Sequence, residues 1–417
     1  MLKNKNLFFS LLFLFVVGSS IVAQNNTNSP YTLYGFGDIT ENYSGEYRAM
    51  GGTSIASSSK NSINTVNPAS YASVDSMTFM FDMGVSLLGS RFSYNDVYNS
   101  KINANLEYIT MQFPLGKNMG FSMGLLPYSF TGYNYSLTQT LPLDAYPDTI
   151  IATQTYYGSG GISQVYGGLS IRLFKRLSLG VNGYYMFGNN MNTRVQSFST
   201  SGFTAGYQKD TIKVASFRMR FGAQYAMPVG KTNRLSLGAY YEAKQKLNAT
   251  YSESTGSYID SITPTQSYFT DFELPQTFGI GVNYAIDNRI TLAADYSLQQ
   301  WSDVKYMGVV DTLADRSRFS LGAEIIPNPR SRRYINRVTY RLGFNMSDAY
   351  YKIDNKIQPK NFGITFGLGL PLRNAKSIVN ATLEYGKVGT TSLLREDYLK
   401  FTLNAVINEN WFFKRKL

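Results

Sequence analysis

Two residue types are missing altogether: the 417-residue chain has no cysteine and no histidine. Without cysteine there is no disulfide staple, thiol nucleophile or zinc–thiolate site. Without histidine there is no Ser-His-Asp triad, no ordinary neutral-pH base and no imidazole metal ligand. Long apolar runs are equally scarce. Past the first residues nothing approaches the roughly 20 apolar residues of a spanning helix, and no Pro/Gly/Ser linker divides the chain. These absences predict one domain with no catalytic residue, no metal and no cofactor, hence not an enzyme.

What is present begins with "MLKNKNLFFSLLFLFVVGSSIVAQ", in which Lys3 and Lys5 precede an apolar run from Leu7 to Val17 and a small residue at Ala23. This reads as a secretory signal over residues 1–23, and Gln24 after the expected cut implies no lipid anchor. Acidic charge is in deficit, with 39 Lys and Arg against 27 Asp and Glu for a formal net charge of +12. In an exported chain that surplus predicts contact with anionic lipid headgroups and not with nucleic acid.

Alternation of period two is clear in several windows. Leu177, Leu179, Val181, Tyr185 and Phe187 share one face opposite Ser178, Gly180, Asn182 and Tyr184. The same split recurs around Leu235–Lys244, Ile290–Gln299, Val338–Asn345 and Val379–Tyr385. A soluble β-sandwich and a membrane barrel both alternate. Segments of about 9–11 residues or more suit a tilted bilayer crossing, whereas ordinary strands average about 5–6. The 33 Tyr and 27 Phe fit interfacial girdles. The expected fold is therefore all-β, a transmembrane antiparallel barrel in the outer membrane of a Gram-negative cell.

Short turns at 114–118, 174–176, 228–233, 286–288, 326–334 and 372–376 alternate with longer polar stretches near 95–100, 140–150, 200–210, 253–266, 304–314, 350–359 and 388–397. The alternation implies about fourteen strands. The wall should start near Thr78 and end over Asp397–Asn408, making 78–417 the barrel. Arg218, Arg220, Glu242, Lys244, Asp295, Arg341 and Glu384 should point inward as a self-paired lumen wall.

Residues 24–77 then have no strand to join. They include "GGTSIASSSKNSINTVNPASY", Gly51–Tyr71, which is small, polar and carries a single charge. A segment threaded among inward side chains favours Gly, Ala and Ser with Asn-Pro turns, and the charge block of a solvated tail is missing. The composition favours a hatch in the lumen.

"RAMGGTSIA", Arg48–Ala56, followed by Asn67-Pro68-Ala69, resembles the N-terminal hatch of the FadL-type long-chain fatty acid and hydrocarbon transporters. The later "LPQTFGIGVNYAIDNRITLAADYSLQQWSD", Leu274–Asp303, is similar to that family's pattern of Leu-Pro, Gly-rich strand, tight turn and strand ending in Trp-Ser. The resemblance implies a fourteen-stranded barrel plugged by its N-terminal segment. It also implies uptake of a hydrophobic small molecule or lipid, with lateral release through a gap at a kinked third strand. Release into the bilayer makes physical sense, because each CH₂ returned to water forfeits about 0.8 kcal/mol.

The expected third strand is Met119–Leu141, with Pro127 in its middle. A proline there removes a ladder donor and either marks a bulge or kinks the strand around an opening. On the second reading Gly124, Pro127, Tyr128 and Gly132 border a lateral gap that faces the hatch at Asn67, Pro68 and Ala69. The family's helical, apolar outer loops are not matched by the short Leu141–Thr153 stretch. That leaves a second reading, a non-transporting FadL-like barrel acting as structural or interaction partner in an outer-membrane protein complex for secretion or barrel assembly.

Rivals fit less well. Barrel phospholipases and omptin-like proteases use a histidine, a TonB-dependent receptor needs about 22 strands, and a general porin of about 16 strands has no plug leader. Gly158–Gly161, "GSGG", lacks the strand-turn-helix setting of a phosphate loop.

Overall fold

The computed structural model describes residues 26–95, 97–141, 150–200, 203–257, 266–268, 271–353, 357–373, 376–389 and 394–410. The expected leader (1–23), the centre of the 141–153 stretch (142–149) and the chain end (411–417) lie outside them.

Fourteen strands form the wall: β1 (Thr78–Tyr94), β2 (Val97–Gly116), β3 (Met119–Leu141), β4 (Ile150–Leu173), β5 (Leu177–Phe198), β6 (Gly206–Val229) and β7 (Asn233–Glu242), then β8 (Thr277–Ile286), β9 (Ile290–Gln299), β10 (Arg316–Ile325), β11 (Thr339–Asp348), β12 (Lys360–Pro371), β13 (Ile378–Val388) and β14 (Arg395–Asn410). Each pairs antiparallel with its sequence neighbour, and β14 meets β1 from Asn410↔Thr78 to Arg395↔Ser93, so the sheet closes. Closure removes the free edges that hydrocarbon cannot solvate.

The alternation sorts as the bilayer requires. Leu179, Tyr185 and Phe187 of β5 point outward and are exposed, whereas Ser178, Asn182 and Tyr184 are buried inside. On β11 Leu342 is 57% exposed and its neighbour Arg341 only 4%. Lys244 is the exception among the expected inward charges. It lies past the end of β7, where it meets Glu273 at 3.0 Å and the Asp303 carbonyl at 2.6 Å.

The strands are unequal. β2 to β6 run 20, 23, 24, 22 and 24 residues, while β7 to β11 run 10 each. About 9–11 residues cross a bilayer, so roughly half of each long strand stands beyond it. Residues 249–257 pair with the upper part of β6 and extend the same palisade. The loops expected near 95–100 and 200–210 are consequently shorter than the sequence suggests, with β1 ending at Tyr94 and β2 starting at Val97. Strand that stands in water can be polar on both faces, as at Gln208, Lys209, Asp210 and Thr211 of β6. Without an apolar face it reads as loop. The turn expected at 326–334 runs on to Arg337 through a 3-10 turn, Tyr334–Arg337.

The described residues before β1 lie inside the barrel. Gly180, Gly222, Gly238, Gly322 and Gly343 face inward on five different strands, and the N-terminal backbone passes against them. A Cβ built at Gly180 would sit 2.4 Å from Pro68 C, at Gly238 2.2 Å from Ile55 O, and at Gly343 2.0 Å from Gly51 N. Those glycines are the space the segment occupies. Gly343→Val is therefore expected to lower the urea midpoint of the barrel in detergent by an overpacking cost of about 1–3 kcal/mol or more. Gly167→Ala, with nothing within 4 Å of its Cβ, should leave the midpoint unchanged; equal midpoints for both variants would refute the packing.

Candidate functional site: the filled lumen and the seam at the third strand

The segment is built from local devices before it meets the wall. Asn67 caps the 3-10 turn Pro68–Ser73, its Oδ1 accepting Ala69 N–H at 3.1 Å, and Pro68 presets the first φ. Asn64 donates to Ser54 O at 2.6 Å and Ser57 O at 2.8 Å while accepting Val66 N–H. Gly51 and Gly52 follow the one-turn helix Gly45–Arg48 with φ of +70° and +93°, a left-handed exit open to glycine.

Wall side chains then satisfy the segment's backbone. Asp295 accepts the amides of Ser54 at 2.6 Å and Ile55 at 2.8 Å. Asn67 Nδ2 donates to Ile55 O at 2.7 Å and to the wall carbonyls of Ala223 and Ala239 at 3.2 Å. Gln224 donates to Ile55 O and Ser57 O, Arg220 to Val66 O, and Thr365 to Ala49 O.

Buried ion pairs add to this. A register shift between β1 and β2 matches Gly84 with Tyr108 and Val85 with Leu106, leaving Glu107 unopposed. A bulge of this kind re-aims a side chain, and Glu107 meets Arg48 at 2.7 Å, Lys400 at 2.6 Å and Ser86 Oγ. Glu41 lies 2.7 Å from Arg316 and 3.8 Å from Arg318. Burial pushes the Glu41 carboxyl up, but the two guanidiniums override it and hold it down at about 2. Glu46 goes the other way: burial, opposed by Arg341 and reinforced by Glu324, pushes it up to about 7. In the wall, Glu242 bridges Arg218 and Arg220, and Arg341 pairs with Glu324 at 2.7 Å.

The third strand carries the irregularity expected of it. β3 pairs with β2 only from Leu125↔Ile109 down to Met119↔Gly116, while its other edge follows β4 to Leu141 with a register shift between Pro127 and Ser129. Gly124 faces Thr110 in the last stretch of the β2 ladder, where a Cβ would meet Ile109 O at 2.4 Å. Above it the two strands part. Tyr128 is the bulged residue, its ring buried in the lumen.

The parting is filled by residues 26–40 and not by Asn67, Pro68 and Ala69. Asn67 and Pro68 sit against Gly222 of β6 and Gly180 of β5, with Ala69 N also at Gly180. Tyr71 O is what reaches the foot of β3, at Gly120. At the parting, Asp38 and Ile39 add a two-residue antiparallel strand to Phe130 and Ser129. Thr40 donates its N–H to Tyr128 O at 2.9 Å and its hydroxyl to Pro127 O at 2.9 Å. Gly132 N–H donates to Thr32 Oγ1 at 3.1 Å. On the β2 side Asn105 donates to Asn26 O and Asn28 to Asn103 Oδ1, each at 2.8 Å. Sequence reasoning did not single out this strap. Its trace was "YGFGD", Tyr34–Asp38, whose Gly35 and Gly37 take φ of +59° and +88°.

At the long-loop end the strap meets an aromatic lid. Phe36 lies 5.3 Å from Tyr306 and 5.9 Å from Phe272, and Trp301 lies 4.9 Å from Tyr350. Tyr350 Oη also accepts Phe36 N–H at 2.9 Å and donates to Gly37 O. Among the described residues, cavities lie below the lid. One of ≈ 80 Å³ is bordered by Glu41, Arg218, Arg220, Glu242, Asp295 and Arg318. Another, ≈ 200 Å³, is bordered by Asp38, Arg48, Glu107, Arg316, Glu396 and Lys400. Both are charged.

A family model described as BamG matches residues 1–417. No curated protein matches the sequence. Among solved structures, the P. putida toluene transporter TodX is similar at a TM-score of 0.61 and 17% identity, covering 90% of this chain and 100% of its own. The CymD monoaromatic hydrocarbon channel gives 0.58 and 13% over 91% and 100%. A Pseudomonas aeruginosa FadL homologue gives 0.55 and 11% over 88% and 98%. At these identities the likeness is one of fold.

Two outcomes are expected of this lumen. Glu107→Gln leaves the buried Arg48 and the half-buried Lys400 facing a neutral amide and should cost about 3–5 kcal/mol in urea unfolding; adding Arg48→Met should recover part of that, and additive losses would deny the coupling. In pH titration, Glu41 stabilises the filled state above its unfolded value of 4.5 and loses that contribution as pH falls toward about 2. Glu46, raised from 4.5 to about 7, contributes fully to the filled state below 4.5 and loses that contribution as pH rises from there through 7. Stability should therefore peak near about pH 4.5 and fall on both sides, and Glu46→Gln should flatten the limb above that pH alone.

Proposed function

This chain belongs to the BamG family, and from that premise we propose that it works as a closed FadL-like barrel, a structural or interaction partner in an outer-membrane protein complex for secretion or barrel assembly. Residues 24–77 act in this reading as a permanent hatch, the chain is exported behind its leader (1–23), and the barrel (78–417) sits in the outer membrane with its short turns in the periplasm. The observation that carries the reading is the lumen itself. A site for a hydrophobic compound is a mainly apolar cavity of about 300–1,000 Å³, whereas the spaces described beside the N-terminal segment are ≈ 80 and ≈ 200 Å³ and mix charged with apolar side chains.

The second reading, a channel that takes up long-chain fatty acids or other hydrophobic compounds and releases them sideways, draws support from one feature. The wall parts between β2 and β3 above Leu125, beside Pro127, Tyr128 and Gly132. There the strap hydrogen-bonds to the β3 edge, so the route needs the strap to leave. Asn67, Pro68 and Ala69 act in this reading through the hatch as a whole, since β5 and β6 hold them.

Uptake of labelled oleate into liposomes carrying the purified barrel, compared with native-membrane copurification, separates the two. The partner reading expects uptake no faster than in empty vesicles and a stoichiometric companion protein. Accelerated uptake by a barrel that purifies alone would overturn it in favour of the channel.

A further inference from the structure

Above the foot of the seam, one side of β2 is paired by no wall strand among the described residues. Among the described residues, β2 ladders to β1 along its whole length but to β3 only from Ile109 downward. Every residue from Val97 to Ile102 is exposed, whichever face it points to, with Val97 at 71%, Tyr98 at 58% and Ile102 at 81%. Gly116 marks the short-turn end of β2. Counting about 9–11 residues for the crossing puts Val97–Ile102 in water beyond the outer leaflet, so lipid chains do not cover them.

Proteins ordinarily blunt such an edge with charged side chains, above all lysine, or with proline, a bulge, a very short strand or a covering loop. Among the described residues, Lys101 is the only one of these along Val97–Ile102. The edge combines an extended run, unladdered backbone on one side and apolar side chains, which is a template for strand addition. The barrel supplies its own precedent across the seam: Asp38 and Ile39 add to the facing β3 edge as an antiparallel strand.

The geometry points to the Val97–Ile102 edge of β2 as a docking site for an extended segment of another polypeptide, added as a further strand. This rests on the partner reading above. A backbone ladder selects the occupant's conformation, and alternate outward positions at Tyr98, Ser100 and Ile102 select small or apolar side chains opposite them. Lys101 is the single charge in the run, so the occupant needs no charge block.

The test places p-benzoylphenylalanine at Tyr98, Ser100 or Ile102 of the full chain in its native membranes, with Leu342 on the lipid face as control position. Crosslinks are mapped by mass spectrometry. The expected result is one partner segment reached from all three positions, its linked residues stepping by two. In parallel, the surface variant V97K/I102K should lose at least tenfold of that partner while keeping the heat-modifiable mobility of a folded barrel. Copurification that persists with crosslinks only elsewhere, to lipid, or to a second copy of this chain overturns the strand site and leaves the partner reading standing. No companion protein at all, with wild type folded, overturns both.

Discussion

Inside a closed barrel a buried peptide group has only the wall to bond to, and that constraint organises the rest of this structure. An unpaired buried amide or carbonyl costs a few kcal/mol, so a chain threaded through the lumen is tolerated only if the wall is written to receive it. Asp295 shows how narrow the match is, since one carboxylate oxygen takes the amides of both Ser54 and Ile55. Asn67 does the converse, its amide nitrogen reaching carbonyls on the segment and on two strands. The inward glycines follow from the same demand, because backbone can bond to backbone or side chain only where no Cβ holds it away.

The seam is where wall and filling exchange roles. Proline at 127 removes a donor and the bulge at Tyr128 shifts the register toward β4, so the β3 edge above Leu125 is left to the strap. Asp38, Ile39 and Thr40 take up the β3 groups that β2 leaves, while Asn26 and Asn28 hold the β2 side. The N-terminal segment thus completes the wall near one end and stops the lumen near the other. Its Glu41 and Arg48 tie the two parts through Arg316 and Glu107.

The barrel was legible in the sequence because lipid enforces period two. Thr78 starts the wall as read, and Met119–Leu141 is the third strand to the residue. What failed was polar strand in water: with neither lipid nor core to impose a face, 95–100 and 200–210 look like loop. That the N-terminal segment lies in the lumen was legible as composition but not as geometry. Nothing in Asn67-Pro68-Ala69 says that it faces β5 and β6, since that depends on where Gly180 and Gly222 lie around the cylinder. The strap was illegible for a related reason. Residues 26–40 carry neither alternation nor charge block, and their partners are backbone atoms of β3, which leave no trace in side-chain pattern.

The same bonds decide how far the seam can serve as a door. Holding the strap to its two edges are the Thr40 N–H and hydroxyl, the Gly132 N–H, and the amides of Asn28 and Asn105. At a net worth of about 1 kcal/mol each, these five bonds alone leave about one molecule in several thousand with the strap released, before the Asp38–Ile39 ladder and the aromatic lid around Phe36 are counted. A ligand could raise that fraction only by binding the open form better than the closed one. An acyl chain gains its roughly 0.8 kcal/mol per CH₂ against apolar walls, and displacing the strap uncovers the charges of Glu107, Arg316 and Lys400 along with the apolar cluster that Phe36 packs against. A lipid therefore drives the opening only if its contacts with that cluster exceed those the strap gives up. A protein strand that pairs with β2 above the strap needs no such opening, because among the described residues that edge is unladdered.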